Sequence, residues 1–263
     1  MGFSNMLLAI DAGNTNTVFA LCDGDDLKQA WRCETNVSRT GDEYASWLYQ
    51  VFQISGYSFT DVTDVIVSSV VPDANFNFRN MAQRYFDCES LFVSTENVIP
   101  RIKISIDQPQ QAGADLLVNA IACAKHYSSN AIIVDFGTAT TLSVLTEEGG
   151  YSGGIIAPGI NLSLDALVSA TAKLPKVAIQ QPPHVKGTNT VHAMQSGIFW
   201  GYVSMIEGLI VRLKGEIKTA PKIIATGGLA NVFSAHIDAI ECVDKELTLK
   251  GLLEIYKSEK EKI

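Results

Sequence analysis

Two carboxylates in this 263-residue chain stand in the same kind of short phrase. Asp11 closes the apolar run Leu8-Ala9-Ile10 and is followed by Ala12-Gly13-Asn14-Thr15-Asn16-Thr17-Val18. Asp135 closes Ile133-Val134 and is followed by Phe136-Gly137-Thr138-Ala139-Thr140-Thr141. The two lie 124 positions apart (135 − 11), close to half the chain. A turn of Gly and small hydroxyl or amide residues exposes backbone N–H groups and adds short donors, which suits phosphate oxygens. A bare carboxylate repels phosphate, so Asp11 fits such a site with a Mg²⁺ ion between them. Taken singly, each phrase is also an ordinary hairpin turn, since Gly, Asn and Thr are frequent there. Repetition at half-chain spacing favours two similar domains that share a site.

A third carboxylate, Asp115, stands in Gly113-Ala114-Asp115-Leu116 just ahead of an apolar helical pattern. It has two readings, a helix N-cap or a base that takes a proton from a substrate hydroxyl. Local sequence leaves both open. Gly227-Gly228 follows the buried-type run Ile223-Ile224-Ala225-Thr226. Glycines at a strand end let backbone approach a flat ligand such as adenine. The matching stretch of the first half, Val65 to Val70, has no such pair, so a nucleoside is expected on the second half alone.

These groups need strands and helices to hold them. Hydrophobic spacing predicts strand-turn-strand over 6–21 and 131–146, with further strands at 30–34, 64–71, 91–94, 153–157 and 223–226. Helices are expected over 42–54, from Pro72 to about Tyr85, over 115–126 and 162–172, and over 189–214. The long last helix carries a stripe of Met194, Ile198, Met205, Leu209 and Leu213, and its Gly197 and Gly201 predict close packing on a neighbour. Gly149-Gly150 predicts a turn, and the charged tail 257–262 a solvated helix end. Strands alternating with helices in each half give an α/β protein with mixed sheets. The expected domains are 1–120 and 121–263.

Composition narrows the partners. A net charge of −8 without a basic block argues against nucleic acid or an anionic membrane surface. Five scattered cysteines without CxxC spacing read as free thiols of a reducing cytoplasm, and four histidines without HExxH spacing make a zinc site improbable. No apolar run reaches the ~20 residues of a membrane span. The start shows no signal-peptide pattern; residues 1–5 read as a loose start or tag remnant, and Met6 argues against myristoylation of Gly2.

With these residues in view, the chain resembles the actin-like ATPase superfamily of sugar kinases, Hsp70 and actin, and within it the type III pantothenate kinases. The likeness spans nearly the whole chain. It rests on Asp11 to Asn16, Ser69-Val70-Val71-Pro72, Gly113-Ala114-Asp115, Asp135 to Thr140, Gly153-Gly154-Ile155-Ile156-Ala157-Pro158-Gly159, Asn189-Thr190-Val191 with Ala193 to Gly197, and Thr226 to Ala230. The resemblance implies two tandem actin-like (ribonuclease H-like) domains with an ATP cleft between them. It implies ATP-dependent phosphorylation of pantothenate to 4'-phosphopantothenate, the first step towards coenzyme A. It assigns Asp11, Ala12, Gly13, Asn14, Thr15, Asn16, Thr17, Val18 and Thr138 to ATP and Mg²⁺, and Asp115 to the general base. Asp135 would bind a monovalent cation, K⁺ or NH₄⁺. Gly113, Ala114, Asp115, Leu116 and Thr190 would contact pantothenate. A cytoplasmic homodimer is implied, with the helix from Asn189 at its interface.

Two positions depart from the family pattern. Leu116 stands where the family has Arg after Gly-x-Asp, and Ile106 where it has Tyr. Arg offers a fixed cationic fork to an anionic substrate and Leu does not. Lys103, Arg101 or a partner subunit are the candidates to supply that charge. Two alternatives follow: a kinase of the same fold with a different hydroxyl acceptor, and a non-catalytic nucleotide-binding regulator. Retention of Asp11, Asp115 and Asp135 together argues against the regulator.

Overall fold

The computed structural model describes residues 5–148 and 150–261. The sequence readings that fall on residues 1–4, on Gly149 and on Lys262 lie outside them. The chain forms two compact units. Among the described residues, the first contains 5–103, 107–122 and 247–261, and the second contains 104–106 and 123–246. Residues 247–261, which sequence placed with the second domain, therefore group with the first.

The first unit is laid down as β1 (Met6–Ala12), β2 (Asn16–Asp23), β3 (Asp26–Glu34), α1 (Gly41–Ser55), β4 (Val62–Ser69), α2 (Pro72–Phe86), β5 (Ser90–Phe92), α3 (Thr95–Val98) and α4 (Ala114–His126), whose last turn is counted with the second unit. The second unit adds β6 (Ala131–Phe136), β7 (Ala139–Thr146), β8 (Gly150–Pro158), α5 (Ile160–Ser169), α6 (Thr190–Glu216), β9 (Lys222–Thr226), α7 (Ala230–Ser234) and β10 (Cys242–Val243); α8 (Leu247–Lys260) returns to the first.

In the first unit the strands run β3-β2-β1-β4-β5. β1 pairs antiparallel with β2 and parallel with β4, so it sits in the middle. Its Leu7, Leu8, Ala9 and Ile10 are all buried, as a central strand with both faces covered requires. Leu8, Ile10, Phe19 and Val67 pack with Tyr44, Leu48 and Phe52 of α1 and Phe78 of α2. Each such side chain contributes about 1.5–3 kcal/mol by burial. α1 starts on a capping box: Glu43 Oε2 accepts from Thr40 N–H at 2.7 Å and Thr40 Oγ1 accepts from Glu43 N–H at 3.3 Å. α8 packs on β1 and β4. Lys260 pairs with Asp64 at 2.6 Å, and Gly251 lets α8 approach α4 so closely that a Cβ would lie 2.2 Å from Val118 O.

The second unit repeats the plan in the order β10-β9-β6-β7-β8, again with three antiparallel strands leading and two parallel ones following. Phe136, Phe199, Tyr202, Ile206 and Phe233 centre its core. Two expectations about α6 are corrected. Its buried face is Phe199, Tyr202, Val203, Ile206, Ile210 and Leu213; Ile198, Met205 and Leu209 of the expected stripe are only half-buried. Gly197 and Gly201 face open space, with no other element of the described chain within 4 Å of a Cβ at either, so within this chain they pack on no neighbour. All five cysteines are free thiols.

Candidate active site

The first turn joins β1 to β2. Gly13 N–H donates to Asn16 O at 3.0 Å and closes it. Asn14, Thr15 and Asn16 are exposed, Asp11, Gly13 and Val18 are partly buried, and Ala12 and Thr17 are fully buried. The Thr17 hydroxyl is 2.8 Å from that of Thr35, so it is turned into the fold. Val70 N–H donates to Ala12 O at 3.1 Å, which brings Ser69-Val70-Val71-Pro72 to the end of β1. Ser68 stands level with Asp11 in the parallel ladder; its hydroxyl is buried and has no hydrogen-bond partner among the described residues. A carboxylate beside an unused oxygen donor fits a hydrated Mg²⁺, which takes oxygen ligands only.

Asp115 is the second residue of α4. The helix begins at Ala114, so the carboxylate is not the cap; Gly113 precedes the helix and its carbonyl accepts from Leu117 N–H at 3.2 Å. Asp115 Oδ1 accepts from Leu116 N–H at 2.8 Å. Burial pushes the Asp115 carboxyl above its ordinary value, and the N–H groups of Leu116 and Asp115 itself offset part of that. A carboxylate with a raised pKa at a helix start is a better proton acceptor than a free one.

In the second unit Asp135 ends β6 beside Thr226 of β9. Gly227 has φ +91°, and a Cβ there would lie 2.4 Å from Asp135 Oδ1. Sequence read Gly227 as room for a ligand; the structure adds that the Asp135 carboxylate already fills that side. Asp135 also helps burial raise the Tyr202 hydroxyl to about 12. Gly137 and Thr138 are exposed, whereas Thr140 is buried against the Tyr202 hydroxyl. Asp135 among hydroxyl-bearing residues offers oxygen donors suited to a hard cation. Among the described residues no three His, Cys, Asp or Glu gather as a metal cluster.

Thr190 is exposed and opens α6 behind the Asn189 cap, whose side chain accepts from His192 N–H at 2.9 Å. It borders a groove of about 520 Å³ lined by Leu167, Leu174, Ala193, Met194, Gly197 and Ile198. Ile106 lies by β8, its Cγ2 3.7 Å from where a Gly153 Cβ would be. Leu116 is partly buried. One Arg101 guanidinium nitrogen bonds Glu259 at 2.6 Å and Ile255 O at 3.3 Å, while its Nε and Nη1 are buried with no partner among the described residues. The first unit thus carries Asp11 to Val18 and Gly113 to Leu116, and the second carries Asp135, Thr138, Thr190 and Gly227. Sequence missed Thr35 and Ser68, which stand outside any motif.

The family model described as type III pantothenate kinase matches residues 7–212. A type III pantothenate kinase from Maricaulis maris is 50% identical over 96% of this chain and 97% of its own. One from Paramagnetospirillum magneticum is 51% identical over the same shares. Among solved structures, the ethanolamine utilization protein EutJ of Carboxydothermus hydrogenoformans covers 95% of this chain and 88% of its own with a TM-score of 0.55. At 13% identity it shows the fold alone, the two-domain actin-like α/β architecture. No helix among the described residues is long and apolar enough to cross a membrane. With its motifs, its paired sheets and half-identical relatives in accord, the chain belongs to the type III pantothenate kinase family.

Proposed function

We propose that this protein transfers the γ-phosphoryl group of ATP to the primary hydroxyl of pantothenate, giving 4'-phosphopantothenate. The observation that carries the reading is the Asp115 carboxylate, raised in pKa by burial and held by the Leu116 N–H at the start of α4. Asp115 accepts the hydroxyl proton as the oxygen attacks in line, a contribution of about 10²–10⁴-fold. The exposed Asn14, Thr15 and Asn16 steady phosphate oxygens with N–H and side-chain donors, and Thr138 adds a hydroxyl from the second turn. Asp11, with Ser68 beside it, holds the hydrated Mg²⁺ that neutralises phosphate charge. Asp135 holds a monovalent cation. Most of the rate then comes from positioning and charge stabilisation.

Gly113 to Leu116 and Thr190 take the acceptor. Leu116 and Ile106 are each more apolar than the Arg and Tyr of the family pattern, which favours a second reading, a different hydroxyl acceptor for the same chemistry. A homodimer through α6 is proposed on the open Gly197 and Gly201 face beside the apolar groove. Location in the cytoplasm fits five free thiols.

The deciding experiment is ADP release with ATP and Mg²⁺, with and without pantothenate, in K⁺ and in Na⁺. Release that needs pantothenate and is faster in K⁺ supports the reading. Release indifferent to pantothenate, but stimulated by another hydroxyl compound, replaces it with the second.

A further inference from the structure

Thr35 follows β3 and lies 24 residues after Asp11 (35 − 11). It grips the first turn at three points. Its N–H donates to Thr15 O at 2.9 Å, its hydroxyl donates to Gly13 O at 2.7 Å, and the same oxygen is 2.8 Å from the Thr17 hydroxyl. A hydroxyl has one proton. Since Thr35 gives its proton to Gly13 O, Thr17 must donate to Thr35. The two side chains thus have a fixed donor order directed at one backbone carbonyl.

That carbonyl matters because of the peptide it belongs to. Gly13 C=O and Asn14 N–H share one planar trans unit and point in opposite directions. Holding the oxygen on the Thr35 side turns the Asn14 N–H to the far side, where Asn14 and Thr15 are exposed. The second unit has the same device in another form. Gly159 follows β8, also 24 residues after its carboxylate (159 − 135). A Cβ there would lie 2.8 Å from Gly137 O and 2.1 Å from Thr138 O. In both units the residue after the third strand backs the carbonyl of the turn glycine. The second unit closes the space with bare backbone, and the first spans it with a hydroxyl.

We infer that Thr35 is a positioning residue for nucleotide phosphate binding: its hydroxyl orients the Gly13–Asn14 peptide so that the Asn14 N–H faces the phosphates. The inference rests on the proposed function for the identity of the ligand. Thr35 itself does not touch the nucleotide.

The test compares wild type with Thr35→Val, which keeps shape and loses the hydroxyl, and Thr35→Ser, which keeps the hydroxyl. ADP affinity by calorimetry and KM for ATP and for pantothenate are measured for each, with the melting temperature as a check on folding. Thr35→Val should weaken ADP binding and raise the ATP KM roughly tenfold, the scale of one lost hydrogen bond to an oriented group, with the pantothenate KM unchanged. Thr35→Ser should restore both to near wild type. Should Thr35→Val not fold, Thr35→Ala, which keeps the N–H to Thr15 O, takes the same measurements with the same expectation. A variant without the hydroxyl that melts earlier yet binds ADP normally overturns the inference and leaves the kinase reading standing. Wild type that binds no ADP and shows no ATP-dependent turnover overturns both.

Discussion

The Asp115 carboxylate occupies the space that a side chain at Gly113 would need: a Cβ at 113 would stand 2.6 Å from Asp115 Oδ1. That oxygen is the acceptor for the Leu116 N–H. Because the crowded atom is the end of a side chain, Gly113→Ala should fold, with the carboxylate rotating out of its bond. We predict a kcat lower by roughly 10²-fold, the low end of a general-base contribution, with ADP affinity unchanged. Steady-state kinetics beside ADP calorimetry check this; a near-normal kcat would remove the orientation of Asp115 from the mechanism.

Burial raises the Asp115 pKa above its ordinary 3.8, and the direction fixes two pH effects. Between 3.8 and the folded value the native state holds a proton that the unfolded chain has released. This stabilisation is full below 3.8 and is lost as pH rises through the folded value. Asp115→Asn should therefore be more stable than wild type at neutral pH, while turnover falls about 10²–10⁴-fold. The acid limb of kcat/KM in wild type should lie above 3.8. Urea melts at pH 7 with a pH–rate profile decide it; a variant that is both less stable and fully active contradicts the assignment.

The two turns were legible because Asp-x-Gly with small donors is local and occurs twice. The face of α6 was not, because apolar residues ring that helix: the row through Ile198, Met205 and Leu209 and the row through Phe199, Ile206 and Ile210 are equally hydrophobic on paper. Only the fold, which brings Phe136 of β6 and Phe233 of α7 to one side, selects between them. α8 was read only at its charged end, for a related reason. Gly251 in its middle lowers helix propensity by about 1 kcal/mol, yet a close approach to Val118 requires it. The cap reading of Asp115 stayed open because sequence cannot tell the residue before a helix from the second one inside it. Thr35 carries no motif, since its role exists only once β3 lies beside the turn.

Gly227 meets two constraints at once. Its φ of +91° strains any L side chain, and a Cβ would meet Asp135 Oδ1 at 2.4 Å and Phe136 N at 2.7 Å. Gly227→Ala should cost about 1–3 kcal/mol for the backbone conformation alone. It should also displace the Asp135 carboxylate. The paired prediction is a lower urea midpoint and a smaller ratio of activity in K⁺ to activity in Na⁺. A variant that loses stability but keeps the wild-type ratio would separate Asp135 from the cation site.

Leu116 offers the sharpest test of the acceptor. It lies one residue past the base, partly buried, and contributes its backbone N–H to Asp115 while its side chain contributes no charge. Arg101, a nearby cation, is bound to Glu259 through one guanidinium nitrogen. If the acceptor is an anion such as pantothenate, Leu116→Arg supplies a charge-assisted hydrogen bond worth about 1.5–3 kcal/mol. We predict a pantothenate KM lower by roughly tenfold, since each 1.4 kcal/mol is a factor of ten, with the ATP KM unchanged. Partial exposure at 116 gives the longer side chain room, so folding should survive. A KM that rises instead, with turnover of a neutral hydroxyl compound better in wild type than that of pantothenate, would mean that Leu116 selects an uncharged acceptor: the Asp115 chemistry would stand and the substrate would change.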